Sequence, residues 1–179
     1  PNACAISELF SEQALHLILT GWRAAVDNGS RDAWKKFAAR FLRASNFAGI
    51  AFGHAGCAAV HALSYPLGGT HHIPHGQSNQ MMFADVMRKY QEKKPIGKLN
   101  KLEELLAKEL NVEPVFALEE LYKLMDAVLE KKPLHEVGVT TEELPVYTKS
   151  VLETQQRLLN NNYVELTAED ILDIYSKAF

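Results

Sequence analysis

The sequence predicts an all-α fold, a helical bundle built around one buried central helix. Apolar residues recur at spacings of three and four from end to end, and no segment alternates as a half-buried strand does. Helix caps and chain breakers fall between those apolar stripes. Residues 47–63 are apolar or small on every side, which is the pattern of a helix inside a core.

The elements follow in order. Leu9, Phe10, Ala14, Leu17, Ile18 and Trp22 form the first stripe, which Asp27, Asn28 and Gly29 end. Ser30 is placed to cap a second helix carrying Trp34, Phe37, Phe41 and Leu42. In residues 47–63, Gly49, Gly53 and Gly56 each cost about 1 kcal/mol against alanine in a helix, which argues for close backbone packing. Pro66 is expected to end that helix, because the residue before a proline avoids the α region. Residues 65–79, with Gly68, Gly69, Pro74 and Gly76, then read as a loop.

Helical spacing resumes over residues 80–92 and stops before Pro95. Residues 99–110 and 115–129 supply two more helices, with Pro114 near the first turn of the latter and Pro133 beyond its end. Thr140 with Glu143, and Thr167 with Asp170, have capping-box spacing for the last two helices. Asn160, Asn161 and Asn162 read as a helix stop, since Asn tolerates the left-handed conformation.

Bulk properties exclude several classes. At 179 residues the chain is the length of one ordinary domain, and its 47% apolar and 23% charged content is that of a globular protein. A net charge of −3 with no clustered basic face gives no case for nucleic acid. The uncharged run over residues 44–84 is broken by Asn46, five histidines, Pro66, Pro74 and many glycines, so no membrane-spanning helix is expected. Two cysteines, Cys4 and Cys57, make no disulfide framework, which points to a reducing compartment such as the cytoplasm. The chain opens at Pro1 without a methionine and runs almost at once into helical sequence, so it reads as part of a longer protein.

The chemistry concentrates in residues 60–76, V-H-A-L-S-Y-P-L-G-G-T-H-H-I-P-H-G, which hold four of the seven histidines and no charged residue. Neutral imidazole nitrogens suit zinc or ferrous iron, and His61 and His75 lie fourteen residues apart. The bland reading of each is a hydrogen-bonded core histidine. His54 is two turns before His61 on the expected helix, roughly 10 Å along its axis, so it lines the pocket or fills a core hydrogen bond. Cys57 is one turn from His61, and C-x-x-x-H can chelate zinc; packing is the alternative. His71 and His72 can complete a three-histidine set with His75, or sit at the rim of a cleft. No carboxylate occurs over residues 44–84, yet a catalytic metal usually needs three or more protein ligands. The remainder must come from a later helix or from outside this chain.

The segment over residues 47–90 resembles the iron-containing (group III) alcohol dehydrogenases. Their pattern A-G-x-A-F, then H-A-x-x-H-x-L-G, then P-H-G and an Asn is matched here by three stretches and a single residue. These are Ala48-Gly49-Ile50-Ala51-Phe52, His61-Ala62-Leu63-Ser64-Tyr65-Pro66-Leu67-Gly68, Pro74-His75-Gly76 and Asn79. Val86-Met87-Arg88 continues the match, and Leu166-Thr167-Ala168-Glu169-Asp170-Ile171 before Tyr175 extends it more weakly.

The resemblance implies the C-terminal domain of the dehydroquinate synthase-like, iron alcohol dehydrogenase fold, filling residues 1–179. It implies Fe2+ or Zn2+ as the metal, with His61 and His75 as two of its ligands. The other two, an Asp and a His four residues apart, would precede this chain, as would a Rossmann-like domain that binds most of the NAD. No D-x-x-x-H and no G-G-G-S occurs here, so this chain alone is expected to be inactive. The implied partners are that N-terminal domain, a small alcohol or aldehyde, and further copies in a homo-oligomer.

Two departures point to a subgroup: Tyr65 replaces the second histidine of H-x-x-x-H, and His54 replaces a small polar residue. With Lys132-Pro133-Leu134-His135-Glu136 and Thr154-Gln155-Gln156-Arg157-Leu158-Leu159, they resemble the 4-hydroxybutyrate dehydrogenases, which interconvert 4-hydroxybutyrate and succinate semialdehyde. Tyr65 is then a candidate to pass the hydroxyl proton outward, against the alternative that it merely packs. Arg157, His71 or His72 is a candidate cation for the substrate carboxylate; Arg157 also reads as a solvated helix charge. Other readings remain: a family member acting on a short-chain alcohol or diol, a stand-alone zinc hydrolase using His61, His75 and His71 or His72, or a non-catalytic helical interaction domain.

Overall fold

A computed structural model describes residues 2–29 and 33–179, and no strand forms among them. The expected Ser30 cap lies outside the described residues. The helices are α1 (Ala5–Asp27), α2 (Ala33–Lys36), α3 (Ala38–Ala55), α4 (Ala59–His71), α5 (His75–Lys93), α6 (Lys98–Leu110), α7 (Ala117–Val128), α8 (Glu143–Thr154), α9 (Gln156–Leu159) and α10 (Ala168–Ala178). They group into two compact units, Pro1–Gly56 with Asn100–Glu130, and Cys57–Leu99 with Lys131–Phe179. No single helix among the described residues is long and apolar enough to cross a membrane.

In the first unit α1 packs along α3. Ala14, Leu19, Ala25, Ala44 and Ala51 are buried there. At Gly21 of α1 an added Cβ would lie 2.8 Å from the Phe41 ring. His16 Nδ1 stands 2.8 Å from the Glu109 carboxylate, and Arg23 donates to the Glu109 carbonyl at 2.9 Å, tying α1 to the end of α6.

Three expectations fail in this unit. The helix carrying Trp34 stops at Lys36, so Phe41 and Leu42 belong to α3. The segment over residues 47–63 is not buried all round, since Phe52 is 53% exposed. Its Gly49 and Gly53 have nothing within 4 Å of an added Cβ, so they do not mark tight packing. Gly56 ends the helix instead, at φ 76 and ψ 172. That backbone region is open almost only to glycine.

The second unit is built around α4, with Ala59, Ala62, Leu63, Ser64 and Leu67 buried. It packs against α5, α8 and α9, while α10 packs against α5 and α8. The central helix is therefore residues 59–71 rather than 47–63. Helix α4 runs straight through Pro66, which was expected to end it. Proline removes the backbone donor that would meet the Ala62 carbonyl, and side chains bond the carbonyls on either side of it. Tyr175 Oη donates to the Leu63 carbonyl at 2.8 Å, and Ser64 Oγ lies 3.0 Å from the His61 carbonyl. The expected loop over residues 65–79 shrinks accordingly. His72 takes a left-handed φ of 54, and α5 begins at His75 after Pro74.

The caps of α8 and α10 follow the sequence in different degrees. Thr167 and Asp170 bond in both directions, at 3.2 and 2.9 Å. Only one half of the Thr140–Glu143 pair forms, the Thr140 N–H donating to the Glu143 carboxylate at 2.8 Å. The asparagine run takes no left-handed conformation, because among the described non-glycine residues only His72 and Asn111 have positive φ.

Candidate metal centre

His61 stands in the first turn of α4 and His75 is the first residue of α5. The sharp turn between the helices brings the two rings together, with centroids 5.2 Å apart and planes at 52°. Asn79 lies four residues after His75, on the same face of α5. Its Nδ2 is 3.1 Å from His75 Nε2 and 3.5 Å from His61 Nε2. Both Nε2 atoms therefore face one point. Ser64 Oγ stands 2.6 Å from Asn79 Oδ1, fixing the amide from α4.

His61 is half-buried and His75 exposed. Burial, then the neighbouring His75, lowers the pKa of His61. Both effects favour the neutral ring, the form in which imidazole binds a metal. Two convergent ring nitrogens fit half of a divalent-metal site. Among the described residues no three His, Cys, Asp or Glu gather to complete one. The three-histidine set with His71 or His72 does not form: among the described residues the structure brings His61 and His75 together and adds no third His, Cys, Asp or Glu.

Tyr65 places its ring beside His75, with centroids 6.3 Å apart and planes at 23°, and it is 40% exposed. The remaining candidates disperse. His54 belongs to the first unit, where it is exposed and its Nδ1 lies 3.0 Å from the Ile50 carbonyl of its own helix. The break at Gly56 takes it off the helix that carries His61, so the shared-face expectation fails. Cys57 falls in the same break and makes no C-x-x-x-H pair on a helix. Its thiol pKa is raised by burial, against a lowering by the nearby Arg157 charge.

His71 turns Nε2 toward the Glu143 carboxylate at 3.1 Å and the Tyr147 hydroxyl at 2.8 Å. That ring is engaged inside the helix packing, where burial and the Glu143 bond push the Tyr147 hydroxyl up to about 12. His72 is exposed at the end of α4. Arg157 is exposed on α9, which packs against α4.

Two residues of the asparagine run serve the site in a way the sequence reading missed. Asn162 Oδ1 accepts from the Ala59 N–H at 3.2 Å and from the Tyr90 hydroxyl, while its Nδ2 donates to the Val164 carbonyl at 2.8 Å. Asn161 Nδ2 donates to the Cys57 carbonyl at 3.1 Å. Together they tie down the link that precedes His61. No local pattern announces such bonds, which span more than a hundred residues of sequence. Asn79 was legible in principle, as the i+4 partner of His75, once α5 is seen to start at His75.

The family of Fe-containing alcohol dehydrogenases, C-terminal, matches the chain over residues 1–179. The 4-hydroxybutyrate dehydrogenase of Clostridium kluyveri is 44% identical over 179 residues, which are 100% of this chain and 48% of that protein. Long-chain-alcohol dehydrogenase 1 of Geobacillus thermodenitrificans is 36% identical, over 99% of this chain and 45% of that protein. Among solved structures, the iron-containing alcohol dehydrogenase of Thermotoga maritima aligns with a TM-score of 0.70 at 25% identity, covering 99% of this chain and 43% of that one. A 1,3-propanediol oxidoreductase aligns with a TM-score of 0.77 at 25% identity, over 99% and 46%. The chain spans about half the length of the relatives it matches. By sequence and by fold, the chain belongs to the Fe-containing alcohol dehydrogenase family and corresponds to its all-helical C-terminal domain.

Proposed function

We propose that this domain supplies His61 and His75 as metal ligands to an NAD-dependent alcohol dehydrogenase that interconverts 4-hydroxybutyrate and succinate semialdehyde. The observation that carries the metal role is the convergence of both Nε2 atoms on Asn79 Nδ2, at 3.1 and 3.5 Å. The substrate rests on the 44% identity to a 4-hydroxybutyrate dehydrogenase. The other ligands and most of the nucleotide site belong to an N-terminal domain of the longer protein. Ferrous iron or zinc, held by His61 and His75 with the other domain's ligands, would supply Lewis acidity toward the substrate oxygen, and a nicotinamide would supply the hydride acceptor.

The chain's own residues have distinct tasks. His61 and His75 hold the ion through their Nε2 lone pairs. Tyr65, exposed beside His75, carries the substrate hydroxyl proton toward solvent. Arg157, exposed on a helix packed against α4, pairs with the carboxylate of the 4-hydroxy acid.

The test uses the full-length protein that carries this domain, assayed with 4-hydroxybutyrate and NAD and in reverse with succinate semialdehyde. Turnover in both directions is expected, and His61→Ala or His75→Ala should abolish it together with metal retention. No turnover of either compound by metal-replete protein would end the substrate assignment, and preference for an uncharged diol would favour the short-chain alcohol reading. A charge-assisted hydrogen bond is worth about 1.5–3 kcal/mol. Arg157→Gln should accordingly raise KM for 4-hydroxybutyrate about tenfold or more, leaving 1-butanol unaffected. An equal change for both alcohols would remove Arg157 from the carboxylate site.

A further inference from the structure

We infer that Asn79, held in turn by Ser64, is a positioning residue that fixes the tautomer of both imidazoles of the metal pair. The inference rests on reading His61 and His75 as ligands, and it adds how this chain prepares them. An amide NH2 has two protons to donate and no lone pair to offer. Asn79 Nδ2 faces two ring nitrogens, His75 Nε2 at 3.1 Å and His61 Nε2 at 3.5 Å. Two donors meet two acceptors. Each ring must then carry its proton on Nδ1 and leave the Nε2 lone pair pointing at the shared position. A metal uses that same lone pair. The amide thus selects, before any ion arrives, the tautomer an ion requires.

Ser64 decides which way the amide faces. Its Oγ is 2.6 Å from Asn79 Oδ1 and 3.0 Å from the His61 carbonyl, and it has one proton to give. Donation along the shorter contact pins Oδ1 to α4 and turns Nδ2 to the rings. The reversed amide would hand a proton to Ser64 Oγ, and Ser64 would donate to the His61 carbonyl instead. Oδ1 would then face both Nε2 atoms and demand a proton on each, which blocks the metal. The two orientations predict opposite tautomers at both rings. Ser64 is buried, and the uncharged run over residues 44–84 places no carboxylate in this segment to override the amide.

The experiment uses the full-length protein, stripped of metal and labelled with 15N at histidine, and reads tautomers by long-range 1H–15N correlation. His61 and His75 are expected as Nδ1–H; a proton on Nε2 of either ring overturns the inference. This reading needs no variant, no metal and no turnover. Ser64→Ala, which deletes one buried hydroxyl, should give mixed tautomers in the same spectrum. Asn79→Ala should do the same more strongly. Unchanged tautomers in folded Ser64→Ala also overturn the inference, even where Asn79→Ala does not fold. Wild-type protein that shows both Nδ1–H tautomers yet binds neither zinc nor iron supports the positioning role and sinks the metal reading alone.

Discussion

Gly56 shows how much a single residue decides. At φ 76 and ψ 172 it separates α3 from α4 and frees His61 from the frame that carries His54. A side chain there costs about 1–3 kcal/mol. Gly56→Ala should lower the urea midpoint accordingly, and an unchanged midpoint would mean that this backbone geometry does not persist in solution. Gly21→Ala sets two effects against each other. The helix gains about 1 kcal/mol of propensity, but the new Cβ would stand 2.8 Å from the Phe41 ring. That half-buried ring already packs 5.4 Å from Trp34, so it cannot swing away freely. Overpacking of this kind costs about 1–3 kcal/mol, and a net loss of stability is expected in the same measurement. The sequence displays both glycines but not the difference between them, because neither φ nor a neighbour across the helix pair is written in the local pattern. His61 and His75 were legible for the opposite reason. Their chemistry stands out in an uncharged segment wherever the backbone runs, whereas Ser64 and Asn162 acquire meaning only from what the fold sets beside them.

Helices were legible where apolar spacing dominates, as in α1, α6 and α10, whose observed bounds fall within a few residues of the expected ones. The misreading at Pro66 has a different origin. A proline disfavours helix in the residue before it, but that local preference competes with the burial of Leu63 and Leu67, both fully buried in the second unit. It also competes with a bond from Tyr175, 112 residues away in the chain. Tertiary contacts of that range leave no trace in a sequence window. Tyr175→Phe tests the account, since it keeps the buried ring and removes only the donor to the Leu63 carbonyl. Leaving a buried acceptor without its partner costs about 1–3 kcal/mol. A lower thermal midpoint is expected, with weaker hydrogen-exchange protection across residues 63–67. Loss of stability without that local change would mean that α4 continues through Pro66 for some other reason.

At the scale of the whole chain, ion pairs join α5 to α10 and so close a segment of sequence that starts at His75. Lys89 Nζ lies 2.6 Å from Asp173 and 2.9 Å from Glu92, Lys177 lies 2.7 Å from Asp173, and Lys93 meets Asp170. The bonds from Lys177 and Lys89 hold the Asp173 carboxyl below its ordinary value. Burial pushes Asp170 up, but the Lys93 bond and the Thr167 N–H together bring it down. Lys89 is raised, chiefly by its bond to Asp173. A lowered carboxyl contributes stability that is complete above the unfolded value of about 3.9 and is lost as pH falls through the lower folded value. A raised lysine contributes stability that is complete below about 10.4 and is lost as pH rises past it. Stability from this cluster should therefore be flat across neutral pH and fall on acidification below about 4. Asp173→Asn should be less stable at pH 7 and should lose less than the wild type between pH 5 and 3, measured as urea midpoints. Salt should weaken the Asp173 contribution more than that of Asp170, whose side chain is 16% exposed against 39%. Because Tyr175 sits on α10 and bonds to α4, acid release of α10 must also open the turn before Pro66. Near-ultraviolet dichroism of the tyrosines and far-ultraviolet helix signal should then fall together. A tyrosine transition that precedes the loss of helix would show α10 detaching from α4 while both remain folded.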